Sequence, residues 1–270
     1  MSFNNNQNNN QPIGVFDSGV GGISVLKHMH ALLPHEDLIY LADSKYAPYG
    51  NKTADEIIAR CRYLTQLCLQ KNVKAIVVAC NTATAAAIDA MREQYHLPII
   101  GMEPAVKPAA AASKNGIIGV LATVGTLKSA QFAGLLEAYG RDVKVVTQAG
   151  KGLVEMVEHG ILNGFEMANL LQQHLKPLLD ANADTIVLGC THYPFLADEI
   201  RKIVGQNVTL IDTGAAVAKQ LQRQLLDNNC LNVNEKIGEV SFWTNSRAEN
   251  AVVVIEKLWS KPIKVSQKNP

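Results

Sequence analysis

Short apolar runs alternate with longer amphipathic stretches along most of the chain. The runs lie at residues 13–16, 38–42, 75–79, 98–101, 117–121, 143–146, 185–188 and 208–211. Each has the length of a strand, is rich in Val and Ile, and closes near Gly, Asp or Cys. Between them, residues 23–33, 53–70, 83–95, 129–139, 167–179 and 215–228 carry helical periodicity. Strands apolar on both faces that alternate with helices predict parallel sheets covered on each side, an α/β fold. Ligands in such sheets bind beyond the carboxyl ends of the strands, so the residues just after each run are the ones to read for function.

Those ends repeat. Ile13-Gly14-Val15-Phe16-Asp17-Ser18-Gly19 is similar to Ile118-Gly119-Val120-Leu121-Ala122-Thr123-Val124, 105 residues on. Ile76-Val77-Val78-Ala79-Cys80 is similar to Ile186-Val187-Leu188-Gly189-Cys190, 110 residues on, and the order is the same. Short Val/Ile strands do resemble one another. Two matches in one order, each ending in polar residues, favour a duplicated unit: two similar parallel-sheet lobes related by a pseudo-two-fold axis, with the active site between them. Cys80 and Cys190 would then approach one ligand from opposite sides. Two thiols so placed can take a proton from one face of a carbon and return one to the other, which stereochemical inversion requires.

Composition narrows the classes. Of 270 residues, 47% are hydrophobic and 18% charged, which suits a globular chain with a filled core. Lysine and arginine number 25 against 24 acidic residues, a net charge of +1, so neither nucleic acid nor an anionic membrane is an expected partner. No apolar stretch is long enough to span a bilayer. Residues 1–12 form an Asn/Gln-rich tract without the basic and apolar regions of a secretory signal, and residues 1–11 are expected to be disordered. A cytoplasmic, reducing location follows as the expectation, with Cys61, Cys68, Cys80, Cys190 and Cys230 as free thiols. Cys61 and Cys68 fall on the amphipathic 53–70 stretch and read as core residues.

Three strand ends carry candidate chemistry. Asp17-Ser18-Gly19-Val20-Gly21-Gly22 precedes a helix, where free N–H groups can hold a carboxylate or Asp17 and Ser18 can cap. Residues 43–52 form a turn-rich loop shaped by Pro48 and Gly50; Tyr49 either walls a pocket or packs. Cys80-Asn81-Thr82 and Cys190-Thr191-His192 each sit where a strand turns into a helix, a position expected to favour thiolate. His192 and Asp17 could assist by proton relay. Cys190 and His192 lack further tightly spaced ligands, so no metal is expected, and no P-loop or dinucleotide fingerprint calls for a phosphate-bearing cofactor.

The ordered set Phe16-Asp17-Ser18-Gly19-Val20-Gly21-Gly22, Ala42-Asp43 with Pro48-Tyr49-Gly50, Ala79-Cys80-Asn81-Thr82-Ala83-Thr84-Ala85 and Leu188-Gly189-Cys190-Thr191-His192-Tyr193-Pro194 resembles the signature motifs of the glutamate racemases, in the aspartate/glutamate racemase family. The resemblance implies a cofactor-independent isomerase that interconverts L- and D-glutamate and supplies the D-isomer for peptidoglycan. It makes Cys80 and Cys190 the acid/base pair, assisted by Asp17 and His192. Asp17, Ser18, Tyr49, Gly50, Asn81, Thr82, Thr123, Thr191 and His192 would surround the substrate, with Pro48 and Thr126 near it. It also implies a first lobe over residues 1–98, a second over 99–210, and a C-terminal part, 211–270, returning to the first lobe from Asp212-Thr213-Gly214. One segment departs: where many relatives carry Cys-Pro before Leu-Val-Glu, this chain reads Thr147-Gln148-Ala149-Gly150-Lys151-Gly152-Leu153-Val154-Glu155, with Glu155 as the candidate acidic support. A homodimer is the expected assembly. Alternatives remain: a racemase of aspartate or a hydantoin, or a two-lobed sensor that binds without turnover.

Overall fold

Eight strands follow from the apolar runs, and two more close the chain. They are β1 (Ile13–Asp17), β2 (Leu38–Ala42), β3 (Ala75–Val78), β4 (Ile99–Ile100), β5 (Ile117–Ala122), β6 (Lys144–Ala149), β7 (Thr185–Gly189), β8 (Thr209–Ile211), β9 (Val240–Thr244) and β10 (Val265–Gln267). The helices are α1 (Ile23–Leu32), α2 (Ala54–Leu69), α3 (Asn81–Gln94), α4 (Val106–Ala112), α5 (Val124–Leu127), α6 (Ala130–Tyr139), α7 (Leu153–Glu158), α8 (Phe165–Asp180), α9 (Ala197–Val204), α10 (Gly214–Asp227) and α11 (Ala248–Trp259). The structure, a computed structural model, describes residues 9–267.

The strands form two wholly parallel sheets, ordered β10-β9-β2-β1-β3-β4 and β6-β5-β7-β8. The core of the first, β2-β1-β3-β4, has the same order as the whole of the second, which is the duplication seen in the strand ends. Every residue of β1, β3 and β7 is buried, as central strands covered on both faces must be. Strand β6 is an edge and its residues stay partly exposed. Strands β9 and β10 extend the first sheet through β2, so the chain's last segment lies with its first.

Local chemistry sets several boundaries. Thr53 caps α2 through a reciprocal capping box with Glu56. Thr123 and Ser129 accept from the N–H groups of Thr126 and Phe132 and cap α5 and α6. Most of the Asn-rich tract lies outside the described residues. Its last part is held in place: Lys74 Nζ donates to the Asn9 carbonyl (2.6 Å), and Asn234 Nδ2 to Asn10 Oδ1 (2.7 Å). No helix among the described residues is long and apolar enough to cross a membrane.

Candidate active site

In each sheet the chain leaves the central strand pair in opposite directions, which opens a crevice at the strand ends. The crevice of the first sheet lies beyond β1 and β3 and receives Asp17, Ser18 and Cys80. That of the second lies beyond β5 and β7 and receives Thr123, Cys190, Thr191 and His192. The two crevices meet. One narrow cleft is lined by Ser18, Pro48, Tyr49, Gly50, Cys80, Asn81, Thr82, Thr123, Val154, Gly189, Cys190, Thr191 and His192.

Cys80 stands at the N-terminus of α3 in extended conformation and is 5% exposed. Its Sγ lies 3.7 Å from Ser18 Oγ. Ser18 Oγ donates to Asp17 Oδ1 (2.9 Å), and Asp17 also accepts from the Ser18 and Gly22 N–H groups and from Thr191 Oγ1 (3.1 Å). The helix terminus does supply a donor to the sulfur, the Ala83 N–H, but it does not favour thiolate as the sequence suggested. Burial and then the charge of Asp17 push the Cys80 thiol well above its ordinary pKa, and the Ala83 N–H offsets only part of this. Asp17 is fully buried, and that burial raises its carboxyl above the usual range; charged His192 opposes the rise and Glu158 adds to it. A proton therefore resides readily on this side of the cleft.

The opposite wall is built differently. Cys190 Sγ lies 3.6 Å from His192 Nδ1, and His192 Nε2 lies 2.7 Å from Glu158 Oε1. Burial disfavours the imidazolium, yet the hydrogen bonds to Cys190 and Glu158, together with their charges, hold His192 well above its ordinary pKa. Glu158 also accepts from the Val20 N–H (2.7 Å) and Ser44 Oγ (3.2 Å). Two glycines make the contact possible: a Cβ at Gly19 would run into the Glu158 carboxylate, and one at Gly21 into the His192 ring. Tyr40, buried beneath the loop, donates to the Gly19 carbonyl (2.7 Å) and fixes its path.

The acidic support of His192 is thus Glu158 rather than the Glu155 suggested by the sequence. Glu155 is exposed at the mouth of the cleft, where it lines an outer chamber with Pro48, Gly50, Thr123 and Val154. Both glutamates lie on α7, three residues apart and so on neighbouring parts of one face. The sequence signal that could have separated them was Gly19 and Gly21, whose missing side chains reserve space for a partner.

Between the thiols lies a polar wall. Asn81 is 3% exposed, and neither its Oδ1 nor its Nδ2 has a hydrogen-bond partner. A buried amide left open in this way is a receptor for a polar ligand. Thr82 Oγ1 lies 2.9 Å from Thr123 Oγ1 and 3.2 Å from Thr126 Oγ1, and Thr123 donates to Thr126 at 3.0 Å. Tyr49 lines the cleft but turns its hydroxyl to Asp43, which also takes a two-point contact from Arg60 (2.7 and 3.0 Å) and a bond from Asn245 Nδ2. That buried carboxylate holds the 44–51 loop, with Pro48 and Gly50, over the cleft. Among the described residues no group of three or more His, Cys, Asp or Glu could hold a metal ion.

The comparisons with known proteins agree with this geometry. The model of the Asp/Glu/hydantoin racemase family matches residues 13–221. A glutamate racemase of Ectopseudomonas mendocina (strain ymp) is 51% identical over 255 residues, 94% of this chain and 97% of its own length. One of Pseudomonas aeruginosa is 48% identical over 256 residues, 94% and 96% of the two chains. Among solved structures, a glutamate racemase isoform from Bacillus anthracis superposes with a TM-score of 0.89 at 32% identity, covering 97% of this chain and 98% of its own. The glutamate racemase of Francisella tularensis in complex with D-glutamate gives 0.83 at 30% identity, with the same coverage. By sequence and by structure, the chain belongs to the Asp/Glu/hydantoin racemase family.

Proposed function

We propose that the protein interconverts L- and D-glutamate, with Cys80 and Cys190 exchanging protons at opposite faces of the α-carbon. The observation that carries this reading is the placement of two thiols, each at the end of an equivalent strand, on the walls of one cleft. In one direction a thiolate takes the α-proton and leaves its electron pair on carbon. The opposite thiol then gives its proton to the other face and becomes the thiolate. The reverse reaction exchanges the roles; the two sulfurs end with their protonation states swapped, and no group is consumed.

The partners of the thiols differ, and so do their tasks. On the Cys190 side, His192 can hold the proton that leaves the thiol, and Glu158 balances the imidazolium. On the Cys80 side, Asp17 is the nearest acceptor, alone or through Ser18. The carbanion is the costly species. Asn81 has both a free donor and a free acceptor for the substrate, and the Thr82, Thr123 and Thr126 hydroxyls can turn to a carboxylate. Ser18 and Thr191 already give their hydroxyl protons to Asp17, so their part is to shape that carboxylate. The D-isomer formed in the cytoplasm would supply peptidoglycan synthesis.

Proton NMR of L-glutamate with the protein in D₂O, with chelator and no added cofactor, tests the reading. The α-proton signal disappears as D-glutamate accumulates. Cys80→Ser and Cys190→Ser each lower the racemisation rate by about 10³-fold or more, within the range of general acid–base contributions. Folded, reduced protein that exchanges neither enantiomer would overturn the assignment, and turnover of aspartate or a hydantoin in its place would redirect it.

A further inference from the structure

The cleft is short of positive charge for a substrate with two carboxylates. Asp17, Glu158 and Glu155 place three carboxyl groups in or beside it, opposed inside by His192, which Glu158 already pairs. Along the walls of the cleft and of the outer chamber that continues it, Lys151 is the one lysine or arginine among the described residues. It is exposed, and it forms no ion pair with Glu155, four residues on.

The turn that carries Lys151 is built from several directions. Gly152 has φ +84°, a left-handed conformation that glycine adopts without strain, and a Cβ at Gly150 would run into the Tyr193 hydroxyl. The Gly150 N–H donates to the Ala122 carbonyl (3.0 Å), and the Gly150 carbonyl accepts from Tyr193 (3.2 Å). The Lys151 carbonyl accepts from His174 Nε2 (2.8 Å), whose other nitrogen accepts from Gln148 Nε2 (3.3 Å). Residues of β6, α8 and the segment after β7 thus fix the backbone on which the ammonium group is mounted.

We infer that Lys151 is the attracting residue of the site: its charge draws the anionic substrate to the mouth and favours its passage into a cleft whose one cationic group, His192, is already paired with Glu158. This rests on the glutamate reading. A unit charge acting over the width of the mouth, largely through water, changes the local concentration of an anion by about three- to tenfold. Such an effect belongs to capture, so it appears in KM and is screened by salt over a Debye length of about 8 Å at physiological ionic strength.

Steady-state racemisation of L-glutamate at several salt concentrations decides the matter. In Lys151→Gln, KM at low salt rises by about three- to tenfold, kcat stays within about twofold, and the salt dependence of kcat/KM flattens. Lys151→Arg retains wild-type KM and salt slope, which a role in the shape of the turn would not ensure. Glu155→Gln has the opposite sign and lowers KM. An unchanged KM and salt slope in Lys151→Gln, equal impairment in Lys151→Arg, or a raised KM in Glu155→Gln would overturn the inference while leaving the glutamate reading intact. A wild-type protein that turns over neither enantiomer would overturn both.

Discussion

Glu158→Gln isolates one charge in the site without altering its shape. The side chains are isosteric, and a glutamine oxygen in the place of Oε1 still accepts from the Val20 N–H and from His192 Nε2, 2.7 Å away in each case. The new amide group can face Ser44 Oγ, now 3.2 Å from Oε2 and able to accept. What disappears is the attraction between the carboxylate and the imidazolium. With charge centres about 4 Å apart and an effective dielectric of about 20, that attraction is about 4 kcal/mol. Glu158 is 13% exposed, so solvent reduces it to roughly 2–3 kcal/mol. If the protonated histidine balances the Cys190 thiolate in the slow step, the rate falls by roughly 30- to 160-fold. The acid form of His192 also becomes harder to keep, so the pH dependence assigned to it moves to lower pH. The same change has a stability signature with a definite sign. A histidine whose folded pKa is raised stabilises the fold fully below its unfolded value, near pH 6.5, and the contribution fades as pH rises through the folded value. The variant is therefore destabilised most near pH 6 and least in alkali. Racemisation by circular dichroism across pH, with urea melts on the same samples, reads both effects. A rate within twofold of wild type and an unmoved pH profile would refute the assignment of an ion pair to His192 and Glu158.

Two further expectations follow from unpaired and buried groups. Asn81→Ala removes an amide whose donor and acceptor are both unmet, so it should cost about 10²-fold or more in kcat/KM while leaving the urea midpoint unchanged or higher; a variant of normal activity and reduced stability would count against a ligand role. Burial pushes Cys61 and Cys68 up to about 12, from an ordinary value of 9.0, so above pH 9 the unfolded chain loses protons first. Stability should then decline by about 1.4 kcal/mol per thiol for each further pH interval. Cys68→Ala should lose less between pH 8 and 10 than the wild type, and an equal loss would argue against burial of the neutral thiol.

The sheets were legible because their central strands are buried on both faces. A central parallel strand needs a continuous run of Val, Ile and Ala, and every such run in the sequence became a strand. The last segment was harder to read. Strand β9, Val-Ser-Phe-Trp-Thr, alternates in burial, and β10 has three residues that lie largely exposed at the sheet edge, so neither carries the buried signature. Motifs at strand ends put Ser18, Cys80, Asn81, Thr123, Cys190 and His192 around one cleft, with Asp17 buried just behind Ser18 and Thr191, because strand ends converge by topology. Glu158 escaped for the complementary reason. It lies on a helix within Leu-Val-Glu-Met-Val-Glu, where two glutamates have equal claims, and only the approach of the Gly19–Gly21 backbone chooses between them. The Cys80 ionisation was misjudged because a helix terminus is visible in sequence, whereas the loss of water around the thiol is not.

Duplication explains the placement of the thiols but not their chemistry, which arises where the two halves differ. At matched positions, Asp17 stands against Ala122 and Thr82 against His192, so each cysteine has a different proton partner. The bonds that hold those partners cross from one sheet's loops to the other's. Thr191 donates to Asp17, the Val20 N–H and Ser44 donate to Glu158, Ser24 donates to the Thr191 carbonyl, and Thr82 meets Thr123 and Thr126. Each half carries one thiol with its own proton partners, Ser18 and Asp17 for Cys80, and His192 and Glu158 for Cys190, while the bonds across the cleft hold those partners in place. Separating the halves to admit a ligand would break hydrogen bonds that fix Asp17, Glu158 and the Thr191 backbone, and bringing them together would restore those bonds as water leaves. The contacts that join the two walls therefore act on the carboxylates behind the thiols, whereas burial and neighbours within each half set the proton affinities of Cys80 and His192.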